Sequence, residues 1–158
     1  MLSTRLQVPL ALTLFLSAVP AHAQDCSTLT NPIYIPGTTD IKPFLSLVAP
    51  KLATATGADQ MTLVYLATGS CTAADYVLND TDLTGTAVYW TGAYNPPPDN
   101  TPVEASCTFA AGTKADLALS DVTVRTCTGA DIPSGIGEFS SMVQGFGFVV
   151  PPNSSQSA

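Results

Sequence analysis

The sequence predicts an α/β domain, a parallel-type sheet with flanking helices, stapled by disulfides. Three observations carry this expectation. Two strand–turn–helix patterns follow one another, the cysteines are even in number, and a segment with the anatomy of an export signal precedes them.

The export signal sets the compartment. Arg5 provides a positive start, Val8 to Val19 is apolar apart from Thr13 and Ser17, and Ala21-His22-Ala23 places small residues at both positions a signal peptidase reads. A membrane span needs about 20 apolar residues, and this run is shorter and contains Pro9. Ala23-Gln24-Asp25 ahead of Cys26 is no lipobox. Residues 1–23 are therefore expected to be a cleaved signal peptide, and 24–158 one periplasmic or secreted domain with no membrane span. Without Arg5 the chain carries four basic residues against 12 acidic ones, a net charge of −8. Such a chain is repelled by nucleic acid and by anionic membrane surfaces.

Cys26, Cys71, Cys107 and Cys127 all lie beyond the signal. In an exported protein they read as two disulfides, with three connectivities open. No pair has the C-x-x-C spacing of a zinc site, so no metal is expected. The only histidine is His22, inside the signal. Its removal excludes Ser-His-Asp and Cys-His catalysis and histidine metal ligands together. Neither an enzyme nor a cofactor is expected.

Ile33-Tyr34-Ile35 is a short β-prone run, broken by Pro36-Gly37-Thr38-Thr39-Asp40. Ile41, Phe44, Leu45, Val48 and Leu52 recur at helical spacing, with Asp40 the expected N-cap and Gly57 the stop. Met61 to Leu66 is the next strand, Ala67 to Ser70 its turn, and Thr72 to Leu78 its helix. Thr86 to Trp90 reads as a strand, Thr91 to Pro102 as a proline-stiffened loop, and Cys107 to Ala110 as a further strand. Ala115 to Leu119 leads to Ser120-Asp121 at a strand end. Gly129 to Gly137 is loop, and Met142 to Val150 an apolar strand. The expected core is Ile35, Leu45, Val48, Leu63, Tyr65, Val88, Leu117, Leu119, Phe146 and Phe148. In an open parallel sheet, turns after the strands gather at the carboxyl ends, where ligands bind. Free N–H groups at a helix start suit an oxyanion there.

The order of these motifs resembles a family. Ile35-Pro36-Gly37-Thr38-Thr39-Asp40-Ile41-Lys42-Pro43-Phe44, then Thr56-Gly57, Met61 to Ser70, Ala115 to Asp121 and Gln144 to Val150 follow in sequence. Together they look like the first lobe of the substrate-binding proteins of bacterial phosphate importers, a branch of the type II periplasmic binding fold. The resemblance implies an extracytoplasmic binding domain for a phosphate-like oxyanion, working with the membrane subunits of an ABC importer. It implies a site of Thr38, Thr39, Asp40, Ser70 and Asp121. Thr39 and Ser70 would offer hydroxyl and N–H groups, and Asp40 its backbone N–H. Asp121 would accept a hydrogen bond from a protonated oxyanion, which favours phosphate over sulfate.

The chain also departs from that pattern. Asp40 puts a carboxylate beside the anion unless it turns to cap its helix, and Cys71 stands where the family has glycine. Thr84 to Gly112 reads as an insertion, and a Cys71–Cys107 bridge, leaving Cys26–Cys127, would pin it to the second turn. The second lobe, with its closing arginine, would follow Ala158, so the chain is expected to be one lobe that binds weakly. Two other readings compete: a disulfide-stabilised secreted scaffold without ligand binding, and an all-β adhesion or carbohydrate-binding domain displaying Tyr89, Trp90 and Tyr94.

Overall fold

The computed structural model describes residues 24–140; residues 1–23, and Met142 to Val150 with Phe146 and Phe148, lie outside the described residues. Alternating side chains organise everything else. Strands β2 (Pro32–Thr38), β3 (Thr62–Thr68), β4 (Thr86–Tyr94) and β5 (Pro102–Thr108) join the two-residue β1 (Gln24–Asp25) in one sheet, ordered β1-β5-β4-β3-β2. On one face Ile35, Leu63, Tyr65 and Trp90 are buried together with Leu45 and Ala49 of helix α1 (Lys42–Ala53). On the other face Val64 and Ala87 pack with Cys26 and Cys107, flanked by Tyr34, Tyr89 and Phe109. Neighbouring residues alternate between these clusters, as the period of two of a strand requires.

The strand–helix–strand unit holds as expected. β2 and β3 are parallel and in continuous register from Pro32↔Thr62 to Thr38↔Thr68, because α1 carries the chain back between them. The expectation of a parallel-type sheet fails beyond that pair and the short β1/β5 contact. β3/β4 and β4/β5 are antiparallel, so the sheet is mixed. The stretch read as a proline-stiffened loop begins as strand, and only residues 95–101 of it are loop. Alternation of Ala87, Val88, Tyr89 and Trp90 carries β4 on to Tyr94, which pairs with Pro102, and only the tip of the hairpin holds the proline run.

The strand expected over 115–119 is reduced to a single parallel bridge, Gly37↔Leu119. Pro36 accounts for this. Tyr34, Pro36 and Thr38 turn their backbone groups toward the segment. Tyr34 N–H is taken by the Asp116 side chain at 2.7 Å, Pro36 has no N–H, and only Thr38 N–H reaches a backbone acceptor, Leu119 O at 3.1 Å.

Both disulfides form, but not in the pairing expected. The bonds are Cys26–Cys107 and Cys71–Cys127. Parallel pairing of β1 with β5 sets Gln24 against Cys107 and Asp25 against Thr108, which brings Cys26 beside Cys107. Cys71, in the first turn of helix α2 (Ser70–Leu78), instead meets Cys127 of the short helix α3 (Val124–Thr128). Of the expected core, Leu117 is 40% exposed, and Phe44, on the helical pattern of α1, is 43% exposed; Trp90, which the competing all-β reading would display, is 1% exposed. Two helices, α1 and α2, flank the sheet, so the domain is not all-β. No helix among the described residues is long and apolar enough to cross a membrane.

Candidate functional site at the carboxyl end of the parallel strands

The three connections singled out in the sequence meet at one end of the sheet. β2 runs between β3 and the 116–119 segment, so the turns that follow all three lie side by side. In an open α/β sheet, ligands bind outside the carboxyl ends of the strands.

Tyr65 shapes the first turn. Its ring is fully buried in β3, and its hydroxyl donates to the carbonyl of Thr38. A Cβ on Gly37 would lie 2.8 Å from Tyr65 Cε2 and 3.1 Å from Leu119 Cβ. Glycine is needed at this position because Tyr65 and Leu119 close over it. Burial, and then the charge of Asp40, push the Tyr65 phenol up to about 12. Thr38 is buried, its N–H bound to Leu119 and its carbonyl to Tyr65. The chain can turn only after it, and a 3-10 turn begins at Thr39 and ends at Ile41. Asp40 is therefore exposed within that turn and does not cap α1, whose N-cap is Ile41 with no side-chain bond.

The second turn delivers Ser70 as the first residue of α2, after the N-cap Gly69. The first backbone bond of this helix is Ala73 N–H to Gly69 O at 2.8 Å, which leaves the amides of Ser70, Cys71 and Thr72 without helical partners. The Ser70 hydroxyl donates to the Asp121 carboxylate across 51 positions of sequence. The third connection thus reaches the start of α2, and Asp121 sits at the positive end of that helix. The Ser120 hydroxyl bonds Val122, donating to its carbonyl at 2.6 Å and accepting its N–H at 3.2 Å, which shapes the turn that presents Asp121.

Ser70 and Asp121 therefore touch directly. Thr38, Thr39 and Asp40 belong to the neighbouring turn, with Thr38 tied to the strand segment that leads into Asp121. Two contributors were missed in the sequence. The Thr68 hydroxyl donates to Gly69 O at 3.2 Å and to Gly37 O at 3.5 Å, linking the first two turns. Tyr65 braces the first. A phenol within an apolar strand, needing a buried partner, was the available signal for Tyr65. Among the described residues, no group of three or more His, Cys, Asp or Glu side chains is placed to hold a metal ion. Comparisons with protein-family models, curated protein sequences and solved structures find no match.

Proposed function

We propose that the domain is an oxyanion-binding lobe of the kind found in phosphate-importer substrate-binding proteins, acting outside the cytoplasm. One observation carries the reading. Three connections, distant in sequence, meet at the carboxyl ends of β3, β2 and the 116–119 segment, and Ser70 there touches Asp121. The hairpin of β4 and β5 accounts for the antiparallel half of the sheet and coincides with the stretch read as an insertion. Without it, the order β3-β2-(116–119) is that of an all-parallel lobe.

In this reading the free amides at the start of α2 receive two or three oxygens of the anion, and Thr39 adds a hydroxyl. Asp121 accepts from the protonated oxygen of hydrogen phosphate, and Ser70 turns its hydroxyl from Asp121 to the ligand. The membrane subunits of an ABC importer would be the partner, and a second lobe would complete the grip. A scaffold without a ligand is the second reading. The Ser70–Asp121 bond favours it, because each group already satisfies the other.

Titration of the 15N-labelled chain with inorganic phosphate, with sulfate at matched ionic strength as control, separates the two. Millimolar phosphate is expected to shift the amides of Thr39, Asp40, Ser70, Cys71 and Asp121, and sulfate to shift them less. One lobe lacks several charge-assisted bonds of about 1.5–3 kcal/mol each, so the affinity is expected near millimolar. Equal, diffuse shifts with both anions would favour the scaffold.

A further inference from the structure

Residues 121–140 lie on the surface of the described molecule. None of residues 121–140 is buried. The bonds of α3 are local: Thr126 N–H reaches Thr123 O at 3.0 Å, and Gly129, at φ 72°, returns its N–H to Arg125 O at 2.8 Å. Arg125 pairs with Asp131 inside the same segment, and Glu138 accepts from Val124 N–H. Apart from the side-by-side packing of α3 on α2, the long-range bonds that tie these residues to the rest of the described molecule are the Cys71–Cys127 disulfide and the Ser70–Asp121 hydrogen bond.

The two disulfides have opposite surroundings. Cys26 and Cys107 are 1% and 0% exposed, inside the core cluster. Cys71 is exposed and Cys127 half-buried, and both line an open groove of about 330 Å³ with Thr72, Asp75, Leu78 and Thr128. Thiol–disulfide exchange requires a thiolate to reach a sulfur, so access sets which bridge reacts. Cys71 also follows Ser70 directly, and Cys127 lies on the segment that bears Asp121.

We infer that Cys71–Cys127 is a redox-labile clamp: intact, it holds residues 121–131 against α2 and keeps Asp121 at Ser70; reduced, it releases them. The reductant is a small dithiol. Its thiolate attacks one sulfur of the bridge, forming a mixed disulfide and expelling the other cysteine as thiolate. Its second thiol then closes on the mixed disulfide and expels the second cysteine. Two electrons pass to the protein, which takes up two protons, and the reagent leaves as its disulfide. The consequence for binding rests on the oxyanion reading; the release of the segment does not.

The test treats the intact, oxidised chain with dithiothreitol under native conditions, traps thiols with N-ethylmaleimide and maps them by mass spectrometry. Cys71 and Cys127 are expected to label at least ten times faster than Cys26 and Cys107. In the selectively reduced protein, amide exchange at Thr126 and Gly129 should rise at least tenfold while β2 and β3 keep their protection, and reoxidation should reverse the change. The C71S/C127S variant should reproduce the reduced behaviour. Equal labelling of all four cysteines, or unchanged protection of Thr126 and Gly129 after reduction, would overturn the inference. Phosphate-induced shifts at Ser70 and Asp121 should vanish on reduction. Shifts that survive reduction sink the clamp and leave the oxyanion reading standing. An oxidised chain with no phosphate shifts sinks the oxyanion reading, while labelling and exchange still decide the clamp.

Discussion

In the proposed oxyanion reading, Asp121 sets the selectivity. A carboxylate only accepts hydrogen bonds, so it rewards an anion that still carries a proton and repels one that does not. In that reading Asp121→Asn removes the discrimination. The preference for phosphate over sulfate is expected to fall at least tenfold, in line with one charge-assisted bond of about 1.5–3 kcal/mol, as read by paired titrations of both proteins. Tyr65 acts on the same turn from below. Tyr65→Phe strands the buried Thr38 carbonyl and is expected to cost about 1–3 kcal/mol in urea unfolding. The raised phenol adds a pH signature. Between its ordinary value near 10 and its folded value of about 12, the unfolded chain loses the proton first, so stability falls as pH rises through that window. Tyr65→Phe should flatten the alkaline limb of the stability curve.

At the scale of elements, the hairpin of β4 and β5 depends on one backbone irregularity. The pairing shifts register between Trp90 and Tyr94, and Gly92 sits there at φ 84°. A Cβ on Gly92 would run into Thr54 Cγ2 and lie 3.3 Å from the carbonyl of Pro50, where α1 ends. The kink therefore lets the strand pass under the helix terminus. Gly92→Ala meets both an unfavourable backbone angle and a clash, and a loss of about 1–3 kcal/mol is expected. Chemical denaturation would show it as a lower midpoint at unchanged slope. Pro36 is the matching device at the other edge. It denies β2 a donor and holds the 116–119 segment to one bridge, which leaves Asp121 on a turn.

Across the whole molecule the two bridges divide their work. Cys26–Cys107 joins the 3-10 turn after the first strand to the fifth strand over a separation of 81 residues and is buried in the core. Its removal in a C26A/C107A variant is expected to cost about 2–5 kcal/mol of global stability, measured by thermal and urea unfolding of the otherwise intact chain. The other bridge is the local one, on the exposed side of α2. The acidic surface works against an anion at long range, so any grip on phosphate has to come from short-range donors at the carboxyl ends of the strands.

How much of this was legible in the chain depended on whether the cause was local. The β2–α1–β3 unit was readable because Ile33, Ile35, Leu63 and Tyr65 alternate and Ile41, Leu45 and Leu52 recur at helical spacing, and both patterns are set by neighbours in sequence. The turns bearing Thr39, Ser70 and Asp121 announced themselves through glycine and hydroxyl residues. The antiparallel course of β4 and β5, the burial of Trp90 and the exposure of Phe44 and Leu117 were not readable, since each depends on which element packs opposite. The cysteine pairing belongs to the same class. Four equivalent thiols carry no local mark of partner, and the pairing followed from β1 lying against β5 and α3 against α2. Local patterns were enough for the α/β unit, the even set of cysteines and the residues of the three turns. The mixed sheet, the bridges and the meeting of Ser70 with Asp121 needed the assembled fold, because contacts across 51 and 81 positions of sequence form only once the sheet is in place.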